Sequence, residues 1–256
     1  LSFFDDIKSI DPKLRLLIQI VTIYFSITNL DSSDVDLPIK VKFFILICVW
    51  IYILNITNFI DGSDGFLTSQ SIYFFVSVCI FAYLTNISIF SFYIALLIIP
   101  ILIGFLFLNA PFAKVYMGDA GSIFLGFLIG FSLLEICLEG YYFYAIAIYA
   151  YPLTDCSIIL TKKLLINGKM PWVRLSDYFF LKPIIKNKTN QKFVFYSLNI
   201  FLIINLIVTT TSLIYENEYL LIFSYVFSLA LCFAFWKKHL GFKTKILNFI
   251  SKNFKN

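Results

Sequence analysis

Residues 55–66 read NITNFIDGSDGF, and within them Asn55, Asn58, Asp61 and Asp64 recur every third residue. On a helix end that spacing keeps neighbours of the series on one side. Gly62 and Gly65 add the backbone freedom to leave the helix and let a ligand come close. Carboxylates mixed with amides suit Mg²⁺, which takes a few such oxygens together with substrate phosphates. A second group lies in LNAPFAKVYMGDAGSIFLGF, residues 108–127. There Pro111, Gly118 and Gly121 interrupt the helix and Lys114 brings a positive charge. Asp119 offers a ligand for a hard cation, and Ser122 with the N–H groups of the next helix start offers a place for a phosphate. A third group opens the chain as FFDDIKSIDPKLRLLIQ, where Asp5 and Asp6 precede Lys8, Lys13 and Arg15. Each alone has a plain alternative: a polar helix cap, an ordinary N-cap, an interfacial turn with snorkelling cations. Their joint occurrence favours a site.

The elements that must carry these groups are membrane helices. The 256 residues are 60% hydrophobic, 20% aromatic and 14% charged, against about 25% charged in soluble domains. Apolar runs of about 20 residues recur, the length that a hydrocarbon layer demands of a helix. FFILICVWIYIL and FYIALLIIPILIGFLFL are apolar on every face, whereas membrane β-strands alternate. The fold class expected is all-α: a polytopic membrane helical bundle forming one domain over residues 1–256. About eight transmembrane helices are expected, near 14–30, 38–58, 67–85, 87–108, 122–139, 141–161, 193–214 and 218–236.

Connections then alternate between two sides. Loops near 1–13, 59–66, 109–121, 162–192 and 237–256 share one side, and of the 20 Lys and Arg residues only Lys40 and Lys42 fall on the other. Basic residues concentrate in cytoplasmic loops, so the chain is expected in the inner (plasma) membrane with the site on its cytoplasmic face. The net charge of +5 follows from that bias and from attraction to anionic membrane lipids; no nucleic acid is needed to explain it. Asp31, Asp34, Asp36, Glu135, Glu139, Glu216 and Glu218 lie on or near the opposite side, in what reads as solvated turns. The chain starts at Leu1 without a signal-peptide pattern, and an N-terminally truncated chain is expected. Five scattered cysteines without CxxC spacing argue against disulfides and zinc, and His239 in the basic tail reads as a surface residue.

Two further features stand apart. Residues 161–192 carry eight basic residues among Trp172, Tyr178, Phe179 and Phe180, a composition suited to a headgroup surface; Arg174 and Lys182 are candidates for an anionic part of a substrate. Asp155, in YPLTDCS, lies several residues inside a span. An intramembrane carboxylate is a functional candidate by default, with a structural pairing as the equal alternative.

The order DD, NxxNFxDGxDG and KxxMGDxGS resembles the polyprenyl-phosphate N-acetylhexosamine-1-phosphate transferases. These belong to glycosyltransferase family 4 of O-antigen, teichoic acid and peptidoglycan precursor synthesis. The resemblance covers residues 1 to about 165. It implies Mg²⁺-dependent transfer of a sugar-1-phosphate from a UDP-N-acetylhexosamine to a polyprenyl phosphate lipid, with release of UMP. It further implies Asp119 and Asn58 at the metal, and Asp5, Asp6, Asp61 and Asp64 in catalysis. It places Lys114 near the diphosphate, while Gly118, Ser122 and Arg174 are expected substrate contacts from their own positions and chemistry. A homodimer is compatible with the sequence. WVRLSDYFF lacks the histidines that many family members carry in this loop, with Arg174 and Asp177 standing roughly where O-antigen-type members have Arg and His. That departure disfavours the runner-up substrate, the muramoyl-pentapeptide donor. A transporter is the distant alternative, opposed by carboxylates that sit at one face and by the lack of an obvious internal repeat.

Overall fold

The computed structural model describes residues 11–28, 30, 38–165, 178–188 and 190–240. Asp5, Asp6 and Arg174 lie outside the described residues, as does the side chain of His239. The helices run α1 (Pro12–Ile27), α2 (Ile39–Ile60), α3 (Phe66–Thr85), α4 (Phe90–Asn109), α5 (Gly118–Leu138), α6 (Tyr142–Ile148), α7 (Ala150–Leu165), α8 (Leu181–Lys186), α9 (Asn190–Ile214) and α10 (Ile222–Leu240), with a 3₁₀ turn at Glu218–Leu221. No strand occurs among the described residues.

Six stretches there are long and apolar enough to cross a membrane: Lys40–Ile60, Phe66–Thr85, Phe90–Asn109, Gly118–Leu138, Asn190–Ile214 and Glu218–Lys237. The bent pair α6–α7 makes a seventh when counted as one. The expected helical membrane bundle is therefore present, with two differences. The span expected near 14–30 is a helix of 16 residues, short of the roughly 20 that a bilayer core requires. Asp11 starts it by accepting the Lys13 N–H at 2.9 Å, with Pro12 at its first position.

The span expected at 141–161 is broken between α6 and α7, which diverge by 82°. Pro152 explains the break. It has no N–H to give the carbonyl four residues back, that of Ile148, and its ring crowds the same group. α6 ends at Ile148, and α7 restarts with Pro152 in its first turn, where proline is tolerated. Glu135 also differs from its expected solvated turn. It lies inside α5 and caps α4, accepting the N–H groups of Phe90 (2.8 Å) and Ser91 (2.9 Å) and the Ser91 hydroxyl (2.5 Å). A carboxylate there answers both the unpaired N–H groups and the positive end of the helix dipole.

The antiparallel pair α2–α5 is the most extensive helix contact of the bundle. α5 presents a small residue at every fourth position: Gly118, Ser122, Gly126 and Gly130. In lipid, where apolar surfaces gain little from hiding from one another, such rows let backbones approach and gain dispersion energy. Trp50 of α2 lies against Gly130 and donates its indole N–H to the Phe127 carbonyl at 3.0 Å. One turn on, a Cβ at Gly126 would stand 2.9 Å from the Leu54 carbonyl oxygen and 3.0 Å from its Cα. α1 covers α2 through Ile23 and Ile27, α3 and α4 form a hairpin, and α9 packs along α3.

Two glycines should therefore respond oppositely to one added methyl group. Gly126→Ala forces backbone apart and is expected to cost about 1–3 kcal/mol. Gly104, with nothing within 4 Å of its would-be Cβ, is expected to gain up to about 1 kcal/mol as Gly104→Ala. Thermal unfolding in detergent checks both, and equal midpoints for the two variants contradict the packing described.

Candidate active site

The α2–α5 register carries the polar ends of both helices to one place. Trp50 meets Gly130, Leu54 meets Gly126, and Asn58 meets Ser122, each step four residues along both chains in opposite directions. One step further along this register lie Asp61, the C-cap of α2, and Asp119, in the first turn of α5. The Ser122 hydroxyl, fully buried, donates to the Asn58 amide oxygen at 2.8 Å. Ser122 thus holds Asn58 in place, one turn below Asp119 on the same face of α5. Arg15 at the start of α1 reaches the Asp119 carboxylate at 2.8 Å, with the two side chains 24% and 16% exposed. The partly shielded ion pair fastens α1 to the site and orients the carboxylate.

Two loops close over this junction, and each reaches into the other. Asp64, only 6% exposed, accepts the Ala113 N–H at 3.0 Å. From the other loop Asn109, buried at the end of α4, accepts the Gly65 N–H at 3.1 Å and the Thr68 hydroxyl at 2.7 Å, and donates to the Val115 carbonyl at 3.0 Å. Gly65 has φ +67°, and a Cβ there would meet the Phe195 ring at 2.7 Å. The turn thus requires glycine for both conformation and space. Asn55 turns its amide back onto the Ile51 carbonyl at 2.8 Å, so it belongs to the helix. Lys114 is exposed on the second loop, and Gly118, with φ +67°, opens α5.

Of the residues singled out in the sequence, Asn58 and Ser122 are in direct contact, Asp61 and Asp119 occupy the adjoining ends of α2 and α5, and Asp64, Lys114 and Gly118 lie in the connections that follow and precede those ends. Asp64 serves as a loop fastener in this arrangement. Arg15 and Asn109 were not singled out as site residues. Asn109 was legible as a polar residue ending an apolar span opposite the DGSDG turn, and the small-residue row as GxxxSxxxGxxxG spacing.

The oxygens fit Mg²⁺. No group of three or more His, Cys, Asp or Glu suited to a metal occurs among the described residues. Mg²⁺ characteristically uses only one or two carboxylates and completes its shell with waters and phosphate oxygens. Asp119, Asp61 and the second lone pair of the Asn58 amide oxygen provide that set. A cavity of about 390 Å³, lined by Thr85, Tyr144, Ser212 and Glu216, opens at the opposite end of the bundle, away from these groups.

Comparison with known proteins covers the same part of the chain. Residues 1–137 match glycosyl transferase family 4, a stretch that contains every polar group of the junction. A Bacillus subtilis (strain 168) protein, named as a probable undecaprenyl-phosphate N-acetylglucosaminyl 1-phosphate transferase, is 31% identical over 138 residues, 50% of this chain and 38% of that protein. The phospho-N-acetylmuramoyl-pentapeptide-transferase of Campylobacter jejuni subsp. jejuni serotype O:23/36 (strain 81-176) is 30% identical over 155 residues, 50% of this chain and 44% of that protein. The same-named protein of Petrotoga mobilis is 33% identical over 160 residues, 54% of this chain and 49% of its own length. The chain thus spans less than half the length of these relatives.

Asn109→Ala tests the cross-tie. It strands a buried N–H, a hydroxyl and a carbonyl, at about 1–3 kcal/mol for each group left unpaired. A clear drop in the thermal unfolding midpoint is expected, and a midpoint equal to wild type contradicts the arrangement.

Proposed function

We propose that this chain, which belongs to glycosyl transferase family 4, transfers N-acetylhexosamine-1-phosphate from a UDP-sugar to a polyprenyl phosphate and releases UMP. The reaction depends on Mg²⁺ and takes place at the cytoplasmic face of the inner membrane, initiating O-antigen or another cell-envelope glycan. The observation that carries this reading is the Ser122–Asn58 bond that aligns the ends of α2 and α5, the ends that bear Asp61 and Asp119.

An oxygen of the lipid phosphate attacks the β-phosphorus of the UDP-sugar. The new P–O bond forms as the bond to the bridging oxygen breaks, and UMP leaves with that electron pair. A phosphate monoester is largely ionised near neutral pH, so no carboxylate has to remove a proton. The work left to the protein is positioning and charge compensation. Asp119 and Asn58 would hold Mg²⁺, which when bound neutralises charge developing between the attacking and leaving oxygens. Arg15 fixes the Asp119 carboxylate from one side, and Ser122 fixes the Asn58 amide from below. Asp61, at the end of α2, orients the metal and the acceptor. Lys114, exposed on the loop that Asp64 and Asn109 hold, approaches the diphosphate. Asp5, Asp6 and Arg174, outside the described residues, keep the roles that the motifs imply.

The names of the Campylobacter and Petrotoga relatives favour a second reading, transfer of phospho-N-acetylmuramoyl-pentapeptide. The histidine-free WVRLSDYFF segment favours the simpler UDP-N-acetylhexosamine. Supplying UDP-N-acetylglucosamine or the muramoyl-pentapeptide donor, with undecaprenyl phosphate and Mg²⁺, separates the two. UMP release with the first donor is expected, lost with chelator and reduced about 10²-fold or more in Asp119→Ala. Turnover with the second donor alone supports the second reading. No metal-dependent release with either donor, or an unaffected Asp119→Ala, overturns the transferase assignment.

A further inference from the structure

Asp155 is a fully buried carboxylate on α7 that the transfer reaction does not use. Such a group is costly in an apolar interior unless hydrogen bonds satisfy it, and here three donors converge. The Phe179 N–H donates to its Oδ1 at 3.0 Å, while the Tyr151 hydroxyl (2.8 Å) and the Phe180 N–H (3.4 Å) donate to Oδ2. Two of these donors belong to the backbone of the turn leading into α8. The carboxylate therefore seats that turn.

What the turn touches is the α2–α3 connection, the hairpin of residues 59–66. Tyr178 stacks on Phe59 with ring centroids 5.9 Å apart, and Phe180 stacks on Phe66 at 4.6 Å. Phe59 and Phe66 flank the segment that holds Asp61 and Asp64 on either side. Between them, a Cβ at Gly62 would stand 3.2 Å from the Leu181 side chain. The turn thus grips the hairpin at both shoulders and presses on its middle. The break at Pro152 makes this possible, because it redirects α7 and so lets Asp155 face the turn instead of continuing along a straight span.

We infer that Asp155 is a positioning residue for the transfer site: by holding residues 178–181 against Phe59, Gly62 and Phe66, it fixes the hairpin that presents Asp61 and Asp64. This rests on the proposed transferase reading, and its test has one readout that does not. Asp155→Ala removes both acceptors of the turn, whereas Asp155→Asn keeps the carbonyl that accepts Phe179 N–H. Sub-ångström to 1 Å displacements at a reacting centre cost up to about 10²-fold. Asp155→Ala is therefore expected to lower kcat by about tenfold to a hundredfold and to raise the donor KM, with Asp155→Asn restoring most of both.

Maleimide labelling of Leu181→Cys in membranes, resolved by mass, reads the seat directly. The labelling rate should rise several-fold, on the order of the loosening that a lost buried contact permits, when Asp155→Ala is added. It should stay near the reference with Asp155→Asn. If Asp155→Ala fails to assemble, Phe180→Leu, which removes the ring on Phe66 and leaves the carboxylate, is expected to show the same kinetic and labelling changes. Unchanged kinetics or unchanged labelling in Asp155→Ala overturns the inference, and so does an Asn variant as impaired as the Ala one. If wild-type protein releases no UMP with either donor, the transferase reading fails, and the labelling still decides whether Asp155 holds the seat.

Discussion

Everything at the polar end of the bundle depends on how closely α5 can approach α2. Side chains of ordinary size along that face would separate the helices, and Asn58 would no longer reach Ser122. Gly126 brings the α5 backbone against Leu54, Gly130 leaves room for the Trp50 indole, which donates to the Phe127 carbonyl, and the register defined there runs on toward Asp61 and Asp119. Lipid offers helices little hydrophobic reason to associate, so packing and hydrogen bonds determine which pairs form. The row of small residues therefore positions chemistry several turns away from itself.

A second constraint is the polarity of the junction. Carboxylates and amides next to apolar spans are stable only when partnered, and most of the partners come from another segment of the chain. Asp64 takes an N–H from the second loop, Asn109 takes one from the first, Arg15 pairs with Asp119, and Asp155 takes two from the turn before α8. Each bond satisfies a buried or partly shielded group and also fastens two elements. Satisfaction and positioning are here the same interactions, which is why loops beside a membrane can hold a defined geometry.

Much of this was legible in the sequence. The apolar runs located the six long helices to within a few residues, because span length is set by the bilayer and not by tertiary contacts. The DGSDG and MGDAGS motifs fall at the ends of α2 and α5, where ionisable groups against apolar spans are costly and so stand out as candidates. Tertiary detail was harder to see. Pro152 was visible, yet whether a proline kinks or breaks a span depends on what packs around it. Ser122 appeared as a helix-start ligand but its hydroxyl faces Asn58, and Asp64 appeared as a catalytic group but fastens a loop. Both assignments hinge on partners that lie 64 and 49 residues away in sequence. Local spacing carries no information about such partners.

In the proposed reaction the aligned ends of α2 and α5 form one cation site. Binding of Mn²⁺ as a Mg²⁺ substitute, followed by electron paramagnetic resonance in wild type, Asn58→Ala, Asp119→Ala and the double variant, tests this directly. Two residues acting on the same ion should be coupled. Each single substitution is predicted to weaken binding by about tenfold or more, and the double variant by clearly less than the product of the two. Additive losses, or Mn²⁺ affinity unchanged in Asp119→Ala, would contradict the account.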